Sequence, residues 1–198
     1  MKISNLLRCL VSALAVLAGA VALAADKDLR TRTDAKGETE IGFCSRPSRA
    51  APFNFPGHTF VTFSEARPGA GRTFRSVGHT VAGAGVTPTV FTYFGGKPVA
   101  GKQAEERYTD VMQACLTVKV DREVYERAVA AARPTLTAIG LPDGVAAAAE
   151  SYALNDNDCV DYAMRVAKAV ELVGLKVPAR AAMDLPADYI AKLKAANK

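Results

Sequence analysis

Cys159 and His58 are the residues whose types and setting point most directly to chemistry. Cys159 ends the polar run Asn155-Asp-Asn-Asp158, and Val160, Ala163, Met164, Ala167 and Val170 follow at steps of three and four. That spacing predicts an amphipathic helix with one buried stripe. Asn and Asp oxygens accept the free amides of a starting helix, so the cysteine is expected in the first turn. Gly174 and Pro178 mark its end. A helix N-terminus favours a thiolate, whereas Asp156, Asp158 and Asp161 oppose one by like-charge repulsion if they face the sulfur. Thiol catalysis also needs a proton shuttle and a group that orients it. The chain has two histidines, His58 and His79.

His58 opens the run His58-Thr-Phe-Val-Thr-Phe63, rich in β-branched and aromatic residues. Strict alternation puts His58, Phe60 and Thr62 on one face of a strand and Thr59, Val61 and Phe63 on the other. A turn at Arg67-Pro-Gly-Ala-Gly71 leads to a partner strand, Thr73 to Val81, carrying His79. Each residue also has a plainer reading. Cys159 can be a packing cysteine, since free Cys is among the most buried types. His58 can close a sheet end, and His79 can be a strand-end histidine. Zinc from His58, His79 and Cys159 is chemically conceivable, but no paired-ligand spacing supports it. The Asp cluster lacks the spacing and closing Glu of a calcium loop. Neither a metal nor a cofactor is expected.

Around these residues the chain reads as one α+β domain, an antiparallel sheet packed against helices. Residues 1–24 have the anatomy of a secretory signal: Lys2 and Arg8, the uncharged apolar run Leu10 to Val21, then Ala22-Leu23-Ala24. Cleavage is expected after Ala24 or Ala25, giving a bacterial periplasmic or secreted protein without stable membrane insertion. Losing the leader lowers the formal charge from +5 to +3, because 23 of the 25 basic residues then face 20 acidic ones. With no basic block and no aromatic-basic interleaving, nucleic acid is excluded as a partner class. Three cysteines remain, Cys44, Cys115 and Cys159. In an oxidising compartment the economical pairing is Cys44–Cys115 with Cys159 free; three buried thiols or another pair remain open.

Residues 25–40 read as a loose polar arm before a domain at 41–198. Ala114 to Val120 is a predicted strand, and Asp121 is expected to cap a helix from Arg122 to about Arg133. A last helix is expected over Pro186 to Lys194. Thr89 to Phe94 reads as a strand, Gly95 to Gly101 as a mobile flap, and Gly144 to Glu150 as a short helix.

The motifs Pro56-Gly-His-Thr-Phe-Val61, Ser76-Val-Gly-His79, Tyr152-Ala-Leu154, Asp158-Cys159-Val160 and Gly174-Leu-Lys-Val-Pro178 occur in the order of one known group. Over Pro56 to Pro178 the chain resembles the circularly permuted papain-like hydrolases, which include permuted NlpC-like peptidases and relatives of lecithin-retinol acyltransferase. The resemblance implies a permuted papain-like fold with Cys159 as nucleophile and His58 as general base. His79 would orient His58, with Ser76 or Thr80 as alternatives. Two features depart from the pattern: Asp158 stands where relatives carry Asn, and the interval from His58 to His79 is long. The implied activity is amide or ester hydrolysis through a thioester, on a peptide or cell-envelope substrate such as a peptidoglycan stem peptide. A periplasmic binding or inhibitor protein, or an inactive member of the same fold, is the alternative.

Overall fold

The computed structural model describes residues 25–33, 36–48, 56–83, 85–112, 114–132, 147–182 and 184–198; the expected leader and the start of the expected 144–150 helix lie outside them. The chain is α+β, with a seven-stranded, mostly antiparallel sheet packed against four helices. The strands are β1 (Lys27–Asp28), β2 (Glu38–Arg46), β3 (His58–Arg67), β4 (Gly71–Val81), β5 (Val99–Glu105), β6 (Ala114–Val120) and β7 (Ala147–Tyr152). The helices are α1 (Val86–Tyr93), α2 (Arg122–Ala131), α3 (Cys159–Lys168) and α4 (Pro186–Ala196). Strand order is β1-β6-β2-β3-β4-β5-β7, and among the described residues β1 on β6 is the one parallel pairing.

Alternation along the strands separates the two faces of the sheet. Ile41, Phe43, Val61, Phe63, Val77, Leu116 and Val118 point to one side, where they meet Val124 and Ala128 of α2, Val160, Ala163 and Ala167 of α3, and Ile190 and Leu193 of α4. Full burial of such a branched or aromatic side chain contributes roughly 1.5–3 kcal/mol, so this layer dominates the fold's stability. The other side carries Cys44, which lies directly across from Cys115 in the β2–β6 ladder. These two form a disulfide, and among the described residues Cys159 is the free cysteine, consistent with an oxidising compartment. None of the described helices is long and apolar enough to cross a membrane.

Four local expectations change. Thr89 to Tyr93 belong to helix α1, with Phe94 as its C-cap, and not to a strand. Pro88 sits in its first turn, where no amide donor is needed, and the hydroxyls of Thr89 and Thr92 bond back to the carbonyls of Gly85 and Thr89 at 2.9 and 2.7 Å. Gly101 is inside β5, held between β4 and β7, so the flap reading fails for residues 99–101. Ala147 to Glu150 is strand, because β5 offers a free edge and its ladder, with Val99 opposite Tyr152, outweighs alanine's helix preference. Residues 27–28 of the expected arm pair with β6, and the Thr31 amide donates to Asp121 Oδ2 at 3.0 Å. Asp121 therefore stands at the N-cap of α2 without a side-chain cap bond.

Candidate functional site

The loop before α3 is built from short-range hydrogen bonds. The amides of Asp156 and Asn157 donate to the Ala153 carbonyl at 3.2 and 3.0 Å, and Asn155 takes a left-handed φ of 67°, a conformation Asn tolerates. Asp158 is the N-cap of α3, and its Oδ1 accepts the Val160 and Asp161 amides at 2.8 and 3.2 Å. Asp161 returns the contact from the N3 position, accepting the Asp158 amide at 3.3 Å and closing a capping box. Arg180 clamps both acids: Nη2 to Asp158 Oδ2 and Nη1 to Asp161 Oδ2 are each 2.7 Å, and Nη1 to Asp158 Oδ1 is 2.8 Å. Burial works against the Asp158 charge, but the guanidinium and the amides hold its carboxyl below the ordinary value. Asp161, buried beside that charge, is pushed up to about 6.

Cys159 follows as the first residue of α3, with 2% of its surface exposed. The Thr59 amide and the Tyr152 hydroxyl both bond to its sulfur. The Tyr152 hydroxyl also accepts the Cys159 amide. Burial pushes the thiol up to about 12, and the neighbouring Asp158 charge adds to the shift. The tendency of a helix N-terminus to favour thiolate is therefore overridden here, and the resting group is a neutral thiol.

Thr59 lies beyond the last pair of the β3–β4 ladder, Val61 with Val77, and its amide goes to Cys159. His58, one residue earlier, thus stands at the same end of β3 as Cys159. Its ring lies against Gly78: a Cβ on that glycine would come within 2.5 Å of Nε2. Nε2 is 3.5 Å from Oε2 of Glu106. Glu106 follows β5, accepts Arg46 Nε at 2.9 Å, and accepts the Tyr108 amide on Oε1 at 2.7 Å. The Arg46 guanidinium in turn lies 5.1 Å from the Tyr108 ring centroid. Burial lowers the His58 imidazole to about 4, even though the Glu106 charge pulls it upward. A cleft of about 130 Å³ opens here, lined by Arg46, His58, Gly78, Thr80, Ala104 and Tyr108 among others.

His79 shares the core face with Val77, whereas His58 points to the opposite face. It is fully buried, with its ring 5.3 Å from Tyr152 and 6.5 Å from Tyr162. Neither of its nitrogens has a hydrogen-bond partner among the described residues, and burial lowers its pKa. The carboxylate next to His58 is thus Glu106, which the sequence motifs did not single out. Thr80 lines the His58 cleft, and Ser76 is buried with its hydroxyl unpartnered among the described residues. No group of three His, Cys, Asp or Glu side chains among the described residues is arranged to hold a metal ion.

Compared with known proteins, the chain matches no family model, no curated protein and no solved structure.

Proposed function

We propose that this is an exported bacterial cysteine hydrolase of permuted papain-like type, periplasmic or secreted, with Cys159 as nucleophile, His58 as proton shuttle and Glu106 as the group that orients it. The observation carrying this reading is the hydrogen bond from the Thr59 amide to the Cys159 sulfur. It brings the first residue of a helix to the head of the strand that carries His58. The His58 ring turns Nε2 toward a buried carboxylate on the face of the sheet away from Cys159, so the dyad requires His58 to swing round the strand end toward the sulfur.

With the thiol near 12 and the imidazole near 4, the resting pair is neutral and the proton moves during attack. Sulfur adds to the carbonyl carbon as His58 takes the thiol proton. The carbon–nitrogen or carbon–oxygen bond then breaks as His58 passes that proton to the leaving group. Water, deprotonated by His58, hydrolyses the resulting thioester. The Cys159 amide, held by the Tyr152 hydroxyl at rest, would exchange that partner for the carbonyl oxygen as charge develops on it.

Peptidoglycan stem-peptide amides are the first substrates to test and lipid esters the second. Intact-protein mass spectrometry with a stem peptide and with p-nitrophenyl acetate is the direct experiment. An acyl adduct on Cys159 that is absent in Cys159→Ser and lost in His58→Ala supports the hydrolase. Absence of any adduct, or turnover indifferent to Cys159→Ser, sinks it.

The burial of Cys159, with Tyr152 occupying both its sulfur and its amide, favours a second reading. In that case Cys159 only packs, and the chain is a binding or inhibitor protein, or an inactive member of the fold. Resistance of the folded protein's Cys159 to iodoacetamide together with the absence of any acyl adduct on it would put this reading ahead.

A further inference from the structure

Helix α1 joins the body of the protein on one side and leaves the other bare. The Thr92 hydroxyl, on a residue only 6% exposed, donates to the Thr89 carbonyl at 2.7 Å and accepts the Leu154 amide at 2.9 Å. Phe91 on the helix and Phe94 at its C-cap, whose ring lies edge-on 5.1 Å from that of Tyr93, are 61% and 74% exposed. Phe94 is followed by Gly95-Gly96-Lys97-Pro98, all exposed. Two phenylalanines left this open within one helix end mark a candidate contact surface, because large apolar surface is costly to leave in water.

Charge indicates the kind of partner. From Ala66 to Ala104 the sequence has no Asp or Glu, yet it carries Arg67, Arg72, Arg75, Lys97 and Lys102. Arg67 and Arg72 are spent on Glu65 and on Glu38 and Glu40. Lys97 stands exposed three residues after Phe94. An aromatic pair beside a lysine, with no acid in the segment, matches a surface that is apolar beneath and negatively charged on top.

We propose that α1 docks peripherally on an anionic phospholipid bilayer. Phe91 and Phe94 enter the boundary between headgroups and acyl chains, and Lys97 meets lipid phosphates. The Thr92–Leu154 hydrogen bond ties the docked helix to the loop that ends at Asp158 and Cys159. Docking would therefore hold that loop next to the envelope surface.

Vesicle co-sedimentation with the purified protein tests this, comparing phosphatidylglycerol/phosphatidylethanolamine vesicles with phosphatidylcholine ones. Wild type is expected to bind the anionic vesicles about tenfold more tightly than the neutral ones. The double variant Phe91→Ser/Phe94→Ser should lose about tenfold or more, and Lys97→Glu several-fold. Both substitutions are on exposed positions, and thermal unfolding will show that the fold is kept. Failure of wild type to bind, equal binding to both lipids, or binding indifferent to the Phe→Ser changes would overturn the proposal. A dimer that forms without vesicles and depends on Phe91 and Phe94 would also overturn it, by assigning the face to a second copy. Cys159 takes no part in the measurement, so its outcome is independent of the thiol chemistry.

Discussion

His58 Nε2 lies 3.5 Å from Glu106 Oε2, the oxygen that Arg46 Nε also reaches at 2.9 Å. The carboxylate is thus fixed from one side and free to hold the imidazole from the other. Glu106→Gln keeps the shape and removes the charge that pulls the His58 pKa upward. The imidazole should titrate below its present value of about 4, and hydrolysis should slow by about 10- to 100-fold. A pH–rate profile of kcat/KM is the check. If the acid limb stays in place while the rate is unchanged, Glu106 has no orienting role.

A buried neutral histidine also makes stability depend on pH. His58 titrates near 4 in the fold and near its ordinary 6.5 when unfolded. Between those values the unfolded chain binds the extra proton, so acidification favours unfolding. His79 acts in the same direction, because its pKa is also lowered. Asp161 acts in the opposite direction, since its pKa is raised to about 6, but both of these groups persist in His58→Gln. Urea denaturation at pH 7 and pH 4.5 should therefore show wild type losing about 2 kcal/mol more on acidification than the variant. Equal losses would mean that His58 is not held neutral by burial.

Asp158→Asn separates the two influences of that residue. Asn can still cap α3 through its side-chain oxygen, but Arg180 loses the charged partner it holds through two bonds of 2.7 and 2.8 Å. Removing one member of a pair this enclosed should cost about 2 kcal/mol, with Asp161 retaining part of the interaction. The same change removes the charge that helps push the Cys159 thiol up to about 12. Iodoacetamide alkylation of Cys159, followed by mass spectrometry across pH, should then begin at lower pH than in wild type. Unchanged or slower labelling would show that the acid does not suppress the thiol.

Much of the scaffold is legible because local and global signals agree. The β3–β4 hairpin combines alternating residues with a Pro-Gly turn, and α3 combines a capping acid with a period near 3.6. The helix stops at Lys168, earlier than Gly174, which with φ 96° closes the short 3-10 turn Glu171–Val173 instead. Helix α1 and strand β7 are illegible in the sequence for the converse reason. The first has strand-like composition but a proline-compatible first turn and threonine back-bonds, and the second has alanines recruited by an open sheet edge. Cys159 and His58 stood out by residue type. Glu106 did not, because its value depends on β5 lying beside β4, where the Glu106 amide donates to the Ser76 carbonyl at 2.9 Å. Arg180 was equally hidden: it comes from a stretch without periodicity and becomes meaningful only when the chain folds back onto Asp158.

Two glycines make a final contrast, because each lies against a histidine ring with a different second neighbour. A Cβ at Gly78 would meet His58 Nε2 at 2.5 Å and Cε1 at 3.2 Å, with the Thr59 carbonyl oxygen at 3.3 Å. The closest atoms belong to a side chain that borders a cleft, so Gly78→Ala should displace the ring toward solvent. The His58 pKa is then expected to rise from about 4 toward 6.5, read by NMR titration, with hydrolysis reduced and stability little changed. At Gly101 the Cβ would meet His79 Nε2 at 2.6 Å, but also the Glu150 carbonyl oxygen at 2.8 Å. That oxygen belongs to the paired strand β7, and neither it nor the fully buried His79 ring can move aside. Gly101→Ala should therefore destabilise the fold by about 1–3 kcal/mol, seen as a lower urea midpoint at an unchanged m-value. If Gly78→Ala proves the more destabilising of the two while the His58 titration stays in place, then His58 is part of a rigid core and not the movable edge of a site.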